Sequence, residues 1–478
     1  MSSTSTSATA TDLGFTSLDG EVDVEALPLE GTLPPWLAGT LLRNGPARFS
    51  VGPDSYRHWF DGLAMLHRFT IGDGRVAYKN RFLRSPAFEE AERTGRIARS
   101  EFATDPHRTV IERVSAVFAG AKATESGNAN VNVVPFADAY LALTETIAPV
   151  AFDGETLATR GPLSYDDDVA GQMSTAHPHH DAARRATFNV VTELGRTSRY
   201  TIVRIEDGTL RRSPVASIAT DEPAYLHAFS TTDRYVVLVE CPFVVKPLDL
   251  VLRRKPFIDN YAWKPDRGTR FHIVDKDTGA KIGTFQGEPF FAFHHVNAFE
   301  ENETIVLDVC AYPDAGIVHD LMLERLRGGT AAVPRGAFRR YRLVPGRRSV
   351  ERENDVVATL ELPRIAASRA ARSYRFAYGV DGAADRADVA ARLVKVDIAS
   401  RSVAEWRADG AHPGEPVFVA RPGGTDEDDG VLLSVVLDAT VGTSYLLVLD
   451  ARTLALRARA HLPHHVPYGF HGMFAGLS

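Results

Sequence analysis

Apolar residues along this chain fall in short runs rather than long helical stripes. Tyr235–Glu240, Thr304–Val309, Leu393–Asp397, Val431–Leu437 and Ser444–Asp450 are dense in Val, Leu and Ile, and Gly, Pro, Asn or Asp bound them. Such runs predict short strands closed by turns. Helical periodicity is confined to Ser85–Gly95, Thr109–Ala119 and His319–Arg327. An all-β fold follows, with frequent turn signals favouring a sandwich, a barrel or a propeller.

A weak repeat favours the propeller. Asp153-Gly-Glu-Thr156, Asp275-Lys-Asp-Thr278, Asp397-Ile-Ala-Ser400 and Asp450-Ala-Arg-Thr453 each follow an apolar run and precede another strand-like run. An Asp side chain accepts from backbone N–H groups ahead of it and so fixes a turn. Any β protein can use such turns, but recurrent outer hairpins are what propeller blades need. A propeller also suits the length of 478 residues, because each blade buries its face on the next. No composition break follows Thr16, so residues 17–478 read as one domain. The Ser/Thr/Ala-rich residues 1–16 read as a disordered tail.

Composition removes whole classes of function. Hydrophobic residues are 44% and charged residues 24%, the balance of a globular protein. No apolar run reaches the roughly 20 residues that span a bilayer. The net charge of −7 argues against nucleic acid as a partner. Cys241 and Cys310 are the only cysteines, which excludes a disulfide framework, a zinc–cysteine cluster and an iron–sulfur site. H-E-x-x-H, Walker A, G-x-S-x-G and a strand-linked G-x-G-x-x-G are all missing. With no basic n-region or apolar leader core at the start, the cytoplasm is the expected location.

The histidines, 16 in all, are the informative feature. His177 opens His-Pro-His-His-Asp, and His227 sits in Ala-Tyr-Leu-His-Ala-Phe. His294 and His295 sit in Phe-Phe-Ala-Phe-His-His-Val-Asn, and His471 in Pro-Tyr-Gly-Phe-His-Gly-Met. A histidine among Phe, Val and Tyr needs partners for its ring nitrogens. Taken singly, each is better explained by a backbone carbonyl than by a metal. Their wide spacing fits no local metal motif but suits ligands from separate blades meeting on an axis. A strand sends His294 and His295 to opposite faces, so one at most points inward. Glu145, Glu361 and Glu415 lie in apolar surroundings and are candidates to take a ligand histidine's second N–H. Surface carboxylates at strand ends are the plainer alternative.

Between Leu29 and Gly472 the motifs run in a characteristic order. They are Leu41-Leu42-Arg43-Asn44-Gly45-Pro46, His58-Trp59-Phe60-Asp61-Gly62, Asn130-Val131-Asn132-Val133 and Ala176-His177-Pro178. They continue with Phe293-His294-His295-Val296-Asn297-Ala298, Gly414-Glu415-Pro416-Val417-Phe418-Val419, Glu427-Asp428-Asp429-Gly430 and Val466-Pro467-Tyr468-Gly469-Phe470-His471-Gly472. Together they make the chain resemble the carotenoid cleavage oxygenase family, most closely its animal-type branch of carotene oxygenases and the retinoid isomerase. The resemblance implies a seven-bladed β-propeller capped by loops and short helices. It implies ferrous iron, Fe(2+), held by His177, His227, His294 and His471, with His295 facing away. Glu145, Glu361 and Glu415 are implied to bond the second, third and fourth of these histidines, and Val131 to shield an open iron position. His58 and His67 are implied to be structural, and His179, His180, His464 and His465 match no ligand position.

The implied activity is oxidative cleavage of a carbon–carbon double bond in a carotenoid or apocarotenoid, with O2 giving two carbonyl products. Cleavage of a stilbene is the alternative. Stilbene cleavers hold the phenol with Tyr and Lys, whereas Phe82–Phe88 has neither. A redox-neutral retinyl-ester isomerase and a propeller without catalysis are the remaining readings. Phe243–Leu252, followed by Arg253-Arg254-Lys255, reads as a peripheral membrane contact, or else as a buried crossover between blades.

Overall fold

In the computed structural model, described for residues 10–106, 127–252, 255–327, 333–353, 356–383 and 389–476, antiparallel hairpins dominate. They assemble into seven sheets arranged as the blades of a propeller. Blade 1 contains Gly39–Arg48, Leu63–Gly72 and Arg75–Phe82, and blade 2 runs from Asn132–Phe136 to Thr159–Pro162. Blade 3 is built on Ala186–Glu193, Ser198–Glu206 and Arg212–Thr220. Blade 4 takes Ser230–Thr231, Tyr235–Glu240, Thr269–Asp275 and Lys281–Gly287. Blade 5 runs from His295–Glu301 to Ser349–Glu353, blade 6 from Glu361–Arg364 to Ser402–Trp406, and blade 7 from Ala411–Pro413 to Leu456–His461.

The chain ends close the ring twice. Gly472–Gly476 pairs with Gly39–Arg48 at the inner edge of blade 1, and Leu29–Gly31 adds to Leu456–His461 at the outer edge of blade 7. Separation along the chain is thus converted into hydrogen-bonded neighbourhood, which places His471 beside the N-terminal strand.

The Asp turns occupy equivalent places, between the third and fourth strands of blades 2, 4, 6 and 7. Asp153 Oδ1 accepts from Thr156 N and Oγ1, both at 2.9 Å, and Asp275 repeats these bonds with Thr278 at 2.9 Å. Asp450 holds Thr453 N at 3.0 Å, and Asp397 holds Ser400 N at 3.2 Å. Blade 1 uses Asp73-Gly74 instead, with both residues at positive φ. The central strands pack blade on blade. Phe188, Val190, Tyr200 and Ile202 of blade 3 meet Val236, Leu238 and Val274 of blade 4.

Several expectations need correction. Ala10–Phe15 forms a short 3-10 helix, and Phe15 is 1% exposed against Trp59 and Tyr468. Residues 10–16 therefore do not belong to a disordered tail. The helix over Ser85–Gly95 is present as Pro86–Thr94, capped by Ser85 and ended by Gly95 at φ 65°. The His319–Arg327 segment instead forms two short helices, Gly316–Asp320 and Leu323–Arg327. The break arises because Leu321–Leu323 spends its backbone groups on Arg57–Trp59. Thr109–Ala119 lies outside the described residues.

The Phe243–Leu252 stretch is divided. Phe243 and Val244 form a strand paired with Ala262–Trp263, and Phe243, Val244 and Val245 are all buried. They are core, so the apolar surface expected of the whole stretch is not there. Only the short helix Pro247–Leu252 presents a large exposed apolar side chain, Leu248 at 63%. Of the basic triplet, Arg253 and Arg254 lie outside the described residues. No helix among the described residues is long and apolar enough to cross a membrane.

Candidate metal centre

Each of the four candidate histidines immediately precedes, or lies beside, the innermost strand of its blade. His177 leads to His179–Asp181 of blade 3, and His227 to Ser230–Thr231 of blade 4. His294 leads to His295–Glu301 of blade 5, and His471 to Gly472–Gly476 of blade 1. The three remaining blades supply the carboxylates. Glu145 follows Ala139–Leu143 of blade 2, Glu361 opens Glu361–Arg364 of blade 6, and Glu415 lies between Ala411–Pro413 and Val417–Ala420 of blade 7. Every blade thus delivers one residue to the axis.

The rings converge by their Nε2 atoms. His177 Nε2 and His227 Nε2 are 3.0 Å apart, as are His294 Nε2 and His471 Nε2. The four possible ligand atoms all lie within 4.8 Å of one another. On the outer side, Nδ1–H of His227 donates to Glu145 at 2.5 Å and that of His471 to Glu415 at 2.7 Å, and His294 donates to Glu361. A carboxylate only accepts, so these bonds put the proton on Nδ1 and leave a lone pair on Nε2. No carboxylate is bonded to His177 among the described residues.

This arrangement fits a metal ion. With the Nδ1–H groups of His294 and His471 both spent on carboxylates, their Nε2 lone pairs face each other at 3.0 Å and repel unless a positive charge lies between them. Metal–nitrogen bonds of about 2.1 Å hold adjacent ligands about 3.0 Å apart. Four neutral imidazoles are donors suited to iron, zinc, copper or nickel.

Burial favours the neutral form of His177, His227 and His471. Burial pushes His471 down to about 3 even with Glu415 beside it, and lowers His227 against the pull of Glu145. His177 is held well below the ordinary histidine range by burial and by its three neighbours in the cluster. Burial would raise the carboxyls, but the opposing partners win. Glu145 is held low chiefly by His227, Glu361 by His294, and Glu415 by Arg364, His471 and Arg43.

The surrounding motifs position this centre. Asn132 Nδ2 holds the Ala176 carbonyl at 2.8 Å, just before His177. Asn130 Nδ2 binds the carbonyls of Phe60 and Gly62 at 2.8 Å, tying the cap to blade 2. The Val131 carbonyl accepts His471 N–H at 3.1 Å. Gly45 and Gly469 allow two backbones to touch beside His471. A Cβ on Gly45 would lie 2.6 Å from Gly469 Cα.

His295 turns away, as expected, with its Nδ1 2.7 Å from Ser230 Oγ. His58 bonds the Val318 carbonyl and His67 the Tyr78 hydroxyl, both at 2.8 Å. His179 bonds the Phe229 carbonyl and exposed His180 bonds Asp207, while His464 and His465 bond carbonyls. None of these joins the cluster.

The two arginines on Glu415 escape sequence reasoning. Arg43 Nη1 bonds Glu415 Oε2, and Arg364 Nε bonds Oε1 at 2.8 Å. Arg43 stands inside a motif whose purpose is hidden until the ring closes, and Arg364 lies three residues beyond Glu361. The Tyr225 hydroxyl, 3.1 Å from Glu145 Oε1, was equally hidden.

The cluster heads an apolar cavity of about 770 Å³, its mouth included. Phe60, Val131, Phe293 and Phe470 wall it near the histidines, and Val333, Val380 and Val389 line it as well.

Comparisons with known proteins agree with this geometry. The family profile described as retinal pigment epithelial membrane protein (RPE65) matches residues 15–476. A carotenoid-cleaving dioxygenase, mitochondrial, of Macaca fascicularis is 34% identical, over 93% of this chain and 90% of that protein. The human beta,beta-carotene 15,15'-dioxygenase is 31% identical, over 93% of this chain and 91% of its own length. A cobalt-substituted apocarotenoid oxygenase of Synechocystis superposes with a TM-score of 0.84 at 27% identity, covering 98% of this chain and 99% of that one. The chain therefore belongs to the RPE65 family, the family of carotenoid oxygenases that its motifs resemble.

Proposed function

We propose that this protein is a non-haem Fe(II) dioxygenase that splits a carbon–carbon double bond of a carotenoid or apocarotenoid with O2. The observation that carries the reading is the cluster of four neutral histidines at the head of an apolar cavity. The family relationship narrows the substrate to the conjugated polyenes on which its relatives are named to act.

Fe(II), when bound, supplies the electrons that allow ground-state dioxygen to react with a conjugated alkene. His177, His227, His294 and His471 hold it. Glu145, Glu361 and Glu415 keep three of the rings in the tautomer that offers Nε2. Phe60, Phe293 and Phe470 exclude water and press the polyene into one register, so the wall selects the bond presented to the histidines. Val131 narrows the same space. One oxygen atom ends on each carbon of the broken bond, and no proton is gained or lost. The site accordingly needs no acid or base, and its carboxylates are committed to the histidines. No observation in the cavity favours a stilbene.

The two cysteines are free and buried, which suits a reducing compartment such as the cytoplasm. Lipid contact, if made by this region, falls to the Pro247–Leu252 helix.

The test is incubation of iron-loaded protein with β-carotene, shorter apocarotenals and resveratrol in detergent, with products identified by mass. Paired carbonyl fragments from a carotenoid or apocarotenal are expected. Cleavage of resveratrol alone, or of nothing, would contradict the reading.

A further inference from the structure

His177 stands apart from the other three candidate ligands. Glu145, Glu361 and Glu415 each take the Nδ1–H of one histidine, and none takes that of His177. His177 is also half-buried where the other three are buried.

What fixes this residue is its main chain. The two carbonyls before it, of Thr175 and Ala176, each accept from an asparagine amide. Asn189 Nδ2 lies 3.1 Å from the Thr175 oxygen, and Asn132 Nδ2 lies 2.8 Å from that of Ala176. Both amides are braced in the same way. Each Oδ1 accepts the backbone N–H of the next residue, Val190 at 2.7 Å and Val133 at 2.8 Å. With Oδ1 so spent, Nδ2 is the atom left to face the carbonyl. Asn189 Oδ1 also accepts from Thr175 Oγ1 at 2.6 Å. On the other side, Pro178 restricts the His177 backbone to extended conformations, and His179 Nε2 bonds the Phe229 carbonyl at 2.9 Å. Anchors therefore flank His177 along the chain.

The same amides reach a second ligand. The His471 carbonyl accepts Asn44 N–H at 3.0 Å, and Asn44 Nδ2 donates to the Asn132 carbonyl at 3.2 Å. Asn44 belongs to blade 1 and Asn132 to blade 2. Blade 2 brings no histidine to the cluster, and its amide bridges the gap between the histidines of blades 3 and 1.

We propose that Asn132 and Asn189 are positioning residues for His177, doing through its backbone what the three carboxylates do for the rings of the other ligands. The inference rests on the reading that the four histidines hold a metal, and it is independent of the substrate. It requires a donor at each Nδ2. An aspartate of equal size sets an oxygen against a carbonyl oxygen and drives the Thr175–His177 segment away.

The experiment is a Co(II) titration of the wild type, Asn132→Asp and Asn189→Asp, read by the visible absorption of the bound ion, with Tm measured on each metal-free protein. Each variant should bind Co(II) roughly 10–100-fold more weakly. At saturating Co(II) its visible band should leave the wild-type position, because displacing one imidazole changes the donor set. A loss of stability alone does not move that band. Asn80 is the control, since its amide is braced alike but holds the N-terminal segment. Its Oδ1 accepts Val22 N–H at 2.7 Å and its Nδ2 donates to the Gly20 carbonyl at 2.8 Å. Asn80→Asp should lower Tm while Co(II) affinity stays within about 2-fold of wild type and the band stays in place. If an aspartate variant does not fold, Asn132→Ala and Asn189→Ala, which remove the donor without adding a charge, decide by the same readings. Wild-type affinity and band in the folded Asn132 and Asn189 variants, or an equal loss in Asn80→Asp, would overturn the clamp. A wild type that binds no Co(II) would overturn the metal centre with it. Binding as described, with no polyene cleaved by the iron-loaded wild type, would overturn the reaction and leave the clamp standing.

Discussion

Nδ1 of His471 lies 2.7 Å from Oε1 of Glu415, a carboxylate with no exposed surface. Arg364 binds the same oxygen, while Arg43 and the Gly472 N–H bind Oε2. Two cations and a histidine thus depend on one buried anion. Glu145 and Glu361 carry lighter loads, each serving one histidine, with a tyrosine nearby.

That inequality separates three otherwise similar substitutions. Glu145→Gln and Glu361→Gln should weaken metal retention by roughly 10–100-fold while the protein stays folded. Glu415→Gln should also destabilise the fold, by about 3–5 kcal/mol, because it strands the buried Arg43 without its anion. Metal content after a chelator challenge, together with Tm, checks both parts. Wild-type values in all three variants would show that the carboxylates do not support the histidines.

His67 supplies a pH dependence from outside the histidine cluster. It is buried beside the Tyr78 hydroxyl, and its pKa is lowered to about 3 by burial, with smaller contributions from the charges of His464 and Arg43. Folding keeps it neutral, whereas the unfolded chain takes up a proton near the ordinary value of about 6.5. Its contribution is complete above about pH 6.5 and is lost as the pH falls toward about 3. Denaturant titrations of wild type and His67→Gln should show the gap in stability shrinking by about 2 kcal/mol between pH 7.5 and 5. A gap that widens as the pH falls would show that His67 is protonated in the folded state.

The division of Phe243–Leu252 predicts two different phenotypes. Phe243 packs on Tyr261 and Phe291 in the main core, so Phe243→Ser should lower Tm, at a cost of about 3–5 kcal/mol. Leu248 is exposed, and Leu248→Ser should change stability by less than about 0.5 kcal/mol. If this helix touches lipid, the same change reduces flotation with anionic vesicles. Undiminished flotation would remove the helix as a membrane contact.

What the sequence revealed follows the burial of its strands. The apolar runs at Tyr235–Glu240, Val431–Leu437 and Ser444–Asp450 are central strands, buried on both faces and therefore dense in Val and Leu. The inner strands are as short as Ser230–Thr231 and leave no readable period, although they deliver the histidines. The Asp turns were legible because their bonds are local. Arg43 and Glu415 are 372 residues apart, and only ring closure joins them. The core role of Phe243 stayed one of two readings because apolar composition does not distinguish a buried strand from an exposed patch.

His294 and His295 are adjacent in sequence but face different partners: His294 donates to Glu361 and turns its Nε2 to that of His471, whereas His295 lies against Ser230. This contrast gives the most direct test of the centre, by elemental analysis of iron in His294→Ala and His295→Ala purified beside the wild type. One iron per chain is expected in the wild type and in His295→Ala, and none in His294→Ala. Iron retained by His294→Ala and lost by His295→Ala would contradict the assignment of the four-histidine centre.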